Sequence, residues 1–235
     1  MWKSEQGFTV TELLVAMAIF SVVLAEAYTA FLSSSQRLVL QNELVEMQTD
    51  ARAAMNFMVQ ELRLAFGTPS ITTTVTTNDT IIFDRLEDAG YSSGGNTTTA
   101  LNDTRKTWSP SSFITSYTVR IISGTGAGQA RSISANTSTQ LTVSSAWETP
   151  PDSSSFYVIT RKKAFTRTST SDNVLRYTAG GSVNQPLANL IMSHTFSQPD
   201  AKTIGITLTA QTRNVDPNIR QKRQYTLTET VLRRN

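Results

Sequence analysis

From Phe8 to Phe66 the chain runs for 59 residues without a glycine or a proline, and the apolar positions inside that run change their pattern once. As far as Leu32 the side chains are apolar on nearly all sides. Beyond Arg37 they fall at Leu40, Leu44, Met47, Ala51, Met55, Met58, Leu62 and Ala65, the 3-and-4 spacing of one stripe along a helix. Glu43, Glu46, Asp50, Arg52 and Glu61 are expected on the opposite face. The pattern predicts a single long helix, apolar over 8–32 and amphipathic over 33–66, stopped by Gly67 and Pro69.

After Pro69 the periodicity shortens to that of strands. Branched and aromatic content predicts them at 71–75, 80–83, 113–123, 140–144, 156–161, 173–178, 202–211 and 224–232. Between Asp84 and Pro110 the Gly-, Ser- and Thr-rich composition reads as an exposed loop. Residues 113–160 read as an inserted β meander, its Gly124-Thr125-Gly126-Ala127-Gly128 run a tight turn, since a phosphate loop would open a helix and this one opens a strand. Trp147 beside Tyr157 is read as packing, with a sugar or peptide contact as the alternative. The expected fold is α+β, a long N-terminal helix laid across an antiparallel sheet domain over 67–235.

Residues 8–32 would reach about 37 Å as a helix, enough for a hydrocarbon core of about 30 Å. The charge-free part, Leu13 to Ala25, is too short alone, so the span has to take in Glu26, Tyr28 and Thr29 near its outer end. Glu12 sits at its mouth, where an acid costs roughly 2.5 to 3.5 kcal/mol if it reaches the centre unpaired. Two roles are open to it: Thr9-Val10-Thr11-Glu12 fits a capping box, and an amine freed by cutting before Phe8 would give it an opposite charge. Glu26 lies about 320° around the helix from Glu12, near the same face. It either joins a protein-facing stripe or sits at the lipid interface.

The run Gly7-Phe8-Thr9-Val10-Thr11-Glu12-Leu13-Leu14-Val15-Ala16 resembles the class III signal of type IV pilins and of the pseudopilins of type II secretion. That pattern is a short polar leader ending in glycine, a phenylalanine that becomes the new N-terminus, and a glutamate fifth after the cut. Gly7, Phe8 and Glu12 match it; Glu5-Gln6-Gly7 departs from the Lys or Arg often found beside the glycine, with Lys3 as the cytoplasmic charge. The resemblance implies removal of residues 1–7 by an inner-membrane prepilin peptidase, N-methylation of Phe8 and a pilin-like fold. It also implies assembly through the helix and Glu12 with other major and minor pilins, on an inner-membrane platform. The protein would be a single-pass inner-membrane protein with a periplasmic domain before assembly, then part of a pilus or pseudopilus. Residues 204–214 and 225–235 look like the closing strand pair of PilW-like minor pilins, and J-type pseudopilins have a related layout. The absence of cysteine, where major pilins often carry a bridge, leans toward a minor subunit.

Charge and residue inventory narrow the rest. Residues 1–159 hold 9 Lys and Arg against 14 Asp and Glu, whereas 160–235 hold 12 against 4. That basic third, with Arg161-Lys162-Lys163, Arg220 to Arg223 and Arg233-Arg234, reads as a solvated face or an assembly rim, with DNA phosphates as the lesser alternative. With one histidine, His194, and no cysteine, Cys-His chemistry is out. No Gly-x-Ser-x-Gly elbow occurs, and Ser193 next to His194 in a strand points to the other face. No catalytic role, metal or cofactor is expected; Asp84, Glu87 and Asp88 do not have the spacing of a calcium loop. A rival outside the pilins is an ordinary signal peptide cut after Ala25-Glu26-Ala27. Against it, Glu12 interrupts the charged-to-apolar order and the helical pattern continues through that cut.

Overall fold

The computed structural model describes residues 9–75, 78–114, 116–167, 173–180 and 182–233. Among the described residues one helix, α1 (Val10–Arg63), precedes twelve strands: β1 (Ala65–Val75), β2 (Asn78–Tyr91), β3 (Ala100–Asn102), β4 (Tyr117–Ser123), β5 (Ala130–Asn136), β6 (Gln140–Val143), β7 (Phe156–Thr166), β8 (Leu175–Ala179), β9 (Ser182–Ala188), β10 (Ile191–Ser197), β11 (Thr203–Asp216) and β12 (Gln221–Leu232). The chain forms two compact units, residues 1–46 with 212–223, and residues 47–211 with 224–235.

In the first unit every side chain from Thr9 to Val39 is exposed, and Leu40 is the first to be buried. Glu43, expected on the polar face, is buried as well, at 6% exposure. Its carboxylate accepts the backbone N–H groups of Arg213 and Asn214 and, at 3.0 Å, the Asn214 side-chain amide. A carboxylate is tolerated there because charge-assisted bonds replace its water. The β11–β12 turn is closed by the buried Asp216, which accepts from the Asn218 N–H at 2.8 Å and from Arg223 Nε at 2.7 Å. Those two donors hold its carboxyl below the usual carboxylate range, the Asn218 N–H contributing most.

In the second unit the amphipathic stripe packs on the sheet. Met47, Ala51, Ala54, Met55, Met58 and Leu62 are all at most 3% exposed. Phe57 meets Phe165 and Tyr177 edge-on, at 6.2 and 5.0 Å between centroids. The main strand order is β12-β11-β10-β2-β7-β4-β5-β6-β3, with β1 on β2 and β8–β9 hanging from β7. β10 with β11, β2 with β7 and β7 with β4 pair antiparallel, while β10 meets β2 in parallel register at His194 with Asn78. Burial alternates strictly along Ile204, Ile206, Leu208 and Ala210 of β11, as a half-buried strand requires.

Two expectations fail here. The helix ends at Arg63, and Gly67 and Pro69 lie inside β1, where pairing with β2 lapses between Phe66 and Ser70 because proline has no N–H to give. The stretch from Asp84 is no exposed loop: residues up to Tyr91 form a central strand between β1 and β7. Its charges are neutralised by partners remote in sequence. Asp84 pairs with Arg120 at 2.8 Å, Arg85 with Glu61 at 3.3 Å, Glu87 with Lys163 at 3.5 Å, and Asp88 with Lys106 at 2.7 Å. Farther on, Leu101 and Asp103 are buried, Asp103 accepting from Tyr157 Oη at 2.9 Å.

β4, β5 and β6 pair in chain order, β7 returns beside β4, and β3 adds at the far side of β6. Leu101, Trp108, Val119, Ile121, Ile133, Leu141, Val143, Trp147, Tyr157 and Ile159 form one core cluster there. Trp147 is therefore packing. The glycine run is a turn in which Gly124 has φ +79°, and a Cβ on it would stand 2.2 Å from the Ser154 carbonyl oxygen. Only glycine fits.

Candidate functional site

Helix α1 opens at a reciprocal cap. Thr9 precedes the first helical residue, and its hydroxyl accepts the Glu12 N–H at 3.3 Å. Glu12 Oε2 reaches back to the Thr9 N–H at 2.9 Å and accepts the Thr9 hydroxyl at 3.0 Å. Both arms of a capping box are thus in place, worth on the order of 1 kcal/mol to the helix start. Gly7 and Phe8 lie outside the described residues, as do all of residues 1–7, the expected leader. Glu12 shares a shallow groove with Thr11, Val15, Ala16 and Ile19.

From that cap the helix continues without a break past Leu32. Val10 to Leu32 is 23 residues, about 35 Å, so it is long and apolar enough to cross a membrane. Leu13, Leu14, Val15, Met17, Ile19, Phe20, Val22, Val23 and Leu24 are each more than half exposed. In water that surface would cost roughly 25 cal/mol per Å², which lipid or neighbouring helices remove. Its polar atoms turn inward along the helix, Ser21 Oγ bonding the Ala18 carbonyl and Thr29 Oγ1 the Glu26 carbonyl, both at 2.8 Å. Glu26 itself is exposed.

The other residues singled out from sequence separate on burial. His194 is fully buried in β10 against Phe196, and neither ring nitrogen has a hydrogen-bond partner among the described residues. Burial pushes it down to about 4. Asp84, Glu87 and Asp88 are taken by cations, and no group of three metal-ligating side chains occurs among the described residues. The basic third is dispersed. Lys163 is buried between Glu61 at 3.0 Å and Glu87, Arg233 is buried against the Gly67 carbonyl, and Arg161 stacks over Tyr117 at 5.0 Å. Arg234 is outside the described residues. Two acids that organise the structure, Glu43 and Glu61, were assigned to the polar face. For Glu43 a signal exists, since it stands three residues after Leu40 and four before Met47, within the buried stripe.

A family model for the prokaryotic N-terminal methylation motif matches residues 2–25. That match supports a class III signal of the type IV pilin and pseudopilin kind in this segment, which contains Gly7, Phe8 and Glu12. In general terms such a signal brings with it a prepilin peptidase and other pilins as partners. No curated protein and no solved structure matches the chain.

Proposed function

We propose that this chain is a minor subunit of a type IV pilus, acting at the tip or in priming, cut between Gly7 and Phe8 and assembled through α1. The observation that carries the reading is the methylation motif at 2–25 leading without interruption into a bare apolar helix, whose continuation from Met47 packs on a sheet. A cleaved secretion signal would have no reason to continue as a structural helix. The N-terminal half inserts in the inner membrane and the β domain stays periplasmic until assembly. No catalysis is assigned to it. After cutting, the Phe8 amine and the Glu12 carboxylate are opposite charges in a low-dielectric bundle, each relieving the other's desolvation. The amine of one subunit meeting the glutamate of its neighbour sets axial register.

A J-type pseudopilin of type II secretion is the second reading, since the sequence over 204–214 and 225–235 that resembles PilW-like minor pilins has a related layout in that group. A DNA-uptake pilin has less support, because Lys163 and Arg233 are engaged inside the fold and Arg223, though exposed, is paired with Asp216. Mass spectrometry of the mature protein tests the main proposal. An N-terminus at Phe8, methylated, is expected, and Gly7→Leu should leave the precursor uncut. An N-terminus at Tyr28 would establish the signal-peptide rival instead.

A further inference from the structure

The turn between β11 and β12 lies within the first unit, beside the part of α1 that follows the apolar stretch. As the strand runs from Arg213 to Pro217, its helix neighbours shift from Glu43 toward Ser35. Arg213 and Asn214 bond Glu43, and Asn214, Val215 and Pro217 line one open groove of ≈ 530 Å³ with Ser35, Gln36, Val39 and Leu40. Ser35 is three residues past Leu32, about 4.5 Å along the axis, and Val39 about 10 Å. The polar layer on each side of a bilayer is roughly 5 to 7.5 Å deep, half the difference between a thickness of about 40–45 Å and a core of about 30 Å. If the apolar stretch is in the membrane, the Ser35 end of this groove stands in the headgroups and the Val39 end at their outer edge.

Its composition suits that level. Val215 and Ile219 are 52% and 46% exposed, although they are large apolar residues on a solvent-facing turn. Arg220, Lys222 and, on α1, Arg37 are exposed and have no ion-pair partner among the described residues; Arg37 follows Gln36 of the groove by one residue. The other two cations of the turn are committed, Arg213 to Glu46 at 3.7 Å and Arg223 to Asp216. Arg220 also holds φ +53°, a left-handed conformation that glycine or asparagine takes more cheaply. An arginine kept in a strained position, next to a bare isoleucine, is better explained by a surface it touches than by the turn it closes.

We propose that the β11–β12 turn is an interfacial anchor: Ile219 and Val215 enter the headgroup boundary of the membrane that α1 crosses, and Arg220, Lys222 and Arg37 bind anionic phospholipid. Basic residues next to apolar ones at this depth are what binds a protein to such an interface. The anchor ties the turn of the first unit to the membrane surface before assembly, and leaving the bilayer requires these contacts to break. The inference rests on the reading of Val10–Leu32 as a span.

Because the chain has no cysteine, a single Ile219→Cys places one nitroxide label on the turn, and Val23→Cys places one in the span. The full chain is reconstituted in phosphatidylcholine vesicles with and without phosphatidylglycerol. Collision with an aqueous nickel complex and with oxygen is compared with a free nitroxide in the same suspension. The expected result is a label at 219 several-fold less accessible to nickel and more accessible to oxygen than the free probe, more so with phosphatidylglycerol. Adding Arg220→Gly and Lys222→Ser should return it toward water; Arg220→Gly relieves the strained φ, so unfolding would not explain that loss. A label at 219 in water while the one at 23 is in lipid overturns the anchor and leaves the span standing. Both labels in water overturns both. A label at 219 in water that is immobilised by added duplex DNA, or broadened by a second copy, overturns the lipid assignment in favour of that occupant.

Discussion

His194 makes stability depend on pH below the ordinary titration range of an imidazole. The ring is fully buried in β10, and burial, with a smaller push from Arg167, brings it down to about 4, against an ordinary value of 6.5. The folded state therefore keeps the imidazole neutral while the unfolded chain takes up a proton below pH 6.5. The stability is complete above pH 6.5 and is lost as pH falls toward 4, because the unfolded state binds more protons across that interval. The size follows from the two values: the loss is about 2 kcal/mol at pH 5 and about 3 kcal/mol at pH 4. His194→Leu removes the titration and leaves no ring nitrogen stranded. Urea denaturation of a fragment from Ser34 to Asn235, followed by circular dichroism between pH 4 and 8, should show the variant gaining on wild type by those amounts as pH falls. Parallel curves from pH 7 to 4.5 would refute the reasoning and mean that His194 is hydrated or partnered in solution.

In the same fragment Met58→Asp should destabilise the domain by several kcal/mol, because Met58 is fully buried and the new charge has no partner; a wild-type midpoint would mean that the stripe is not core. Glu61→Ala leaves the buried Lys163 with Glu87 alone, at 3.5 Å, and removes the acceptor of Tyr177 Oη at 3.1 Å, so a loss of about 3 kcal/mol is expected in the unfolding free energy. Glu61→Gln, which keeps an acceptor, should cost less. In the full chain Glu12→Val should leave insertion and cleavage intact but reduce incorporation into sheared filaments, with Glu26→Ala as the milder control. Equal recovery of Glu12→Val and wild type would leave the capping box as the only role of that carboxylate.

What could be read in the residues is what local periodicity controls. The long helix, the change from an all-round apolar half to a stripe, the cap at Thr9 and Glu12, the turn at Gly124 and the alternation of β11 all follow from spacings of two to four residues, where each residue's neighbours are fixed by the chain itself. The methylation motif at 2–25 belongs to the same category, since it is a linear segment. Ion pairs were not legible in that way. A segment carrying Asp84, Arg85, Glu87 and Asp88 reads as a surface loop until Arg120, Glu61, Lys163 and Lys106 are seen opposite it, and Glu61 and Lys163 are 102 positions apart. Glu43 looked solvated for the same reason, its donors at 213 and 214 being 170 residues away. A buried charge is tolerated only through partners that replace its water, and those partners are chosen by topology. Hydrophobic burial needs only a face, so a pattern predicts it. Burial of charge needs a particular group at a particular distance, which only the tertiary structure supplies.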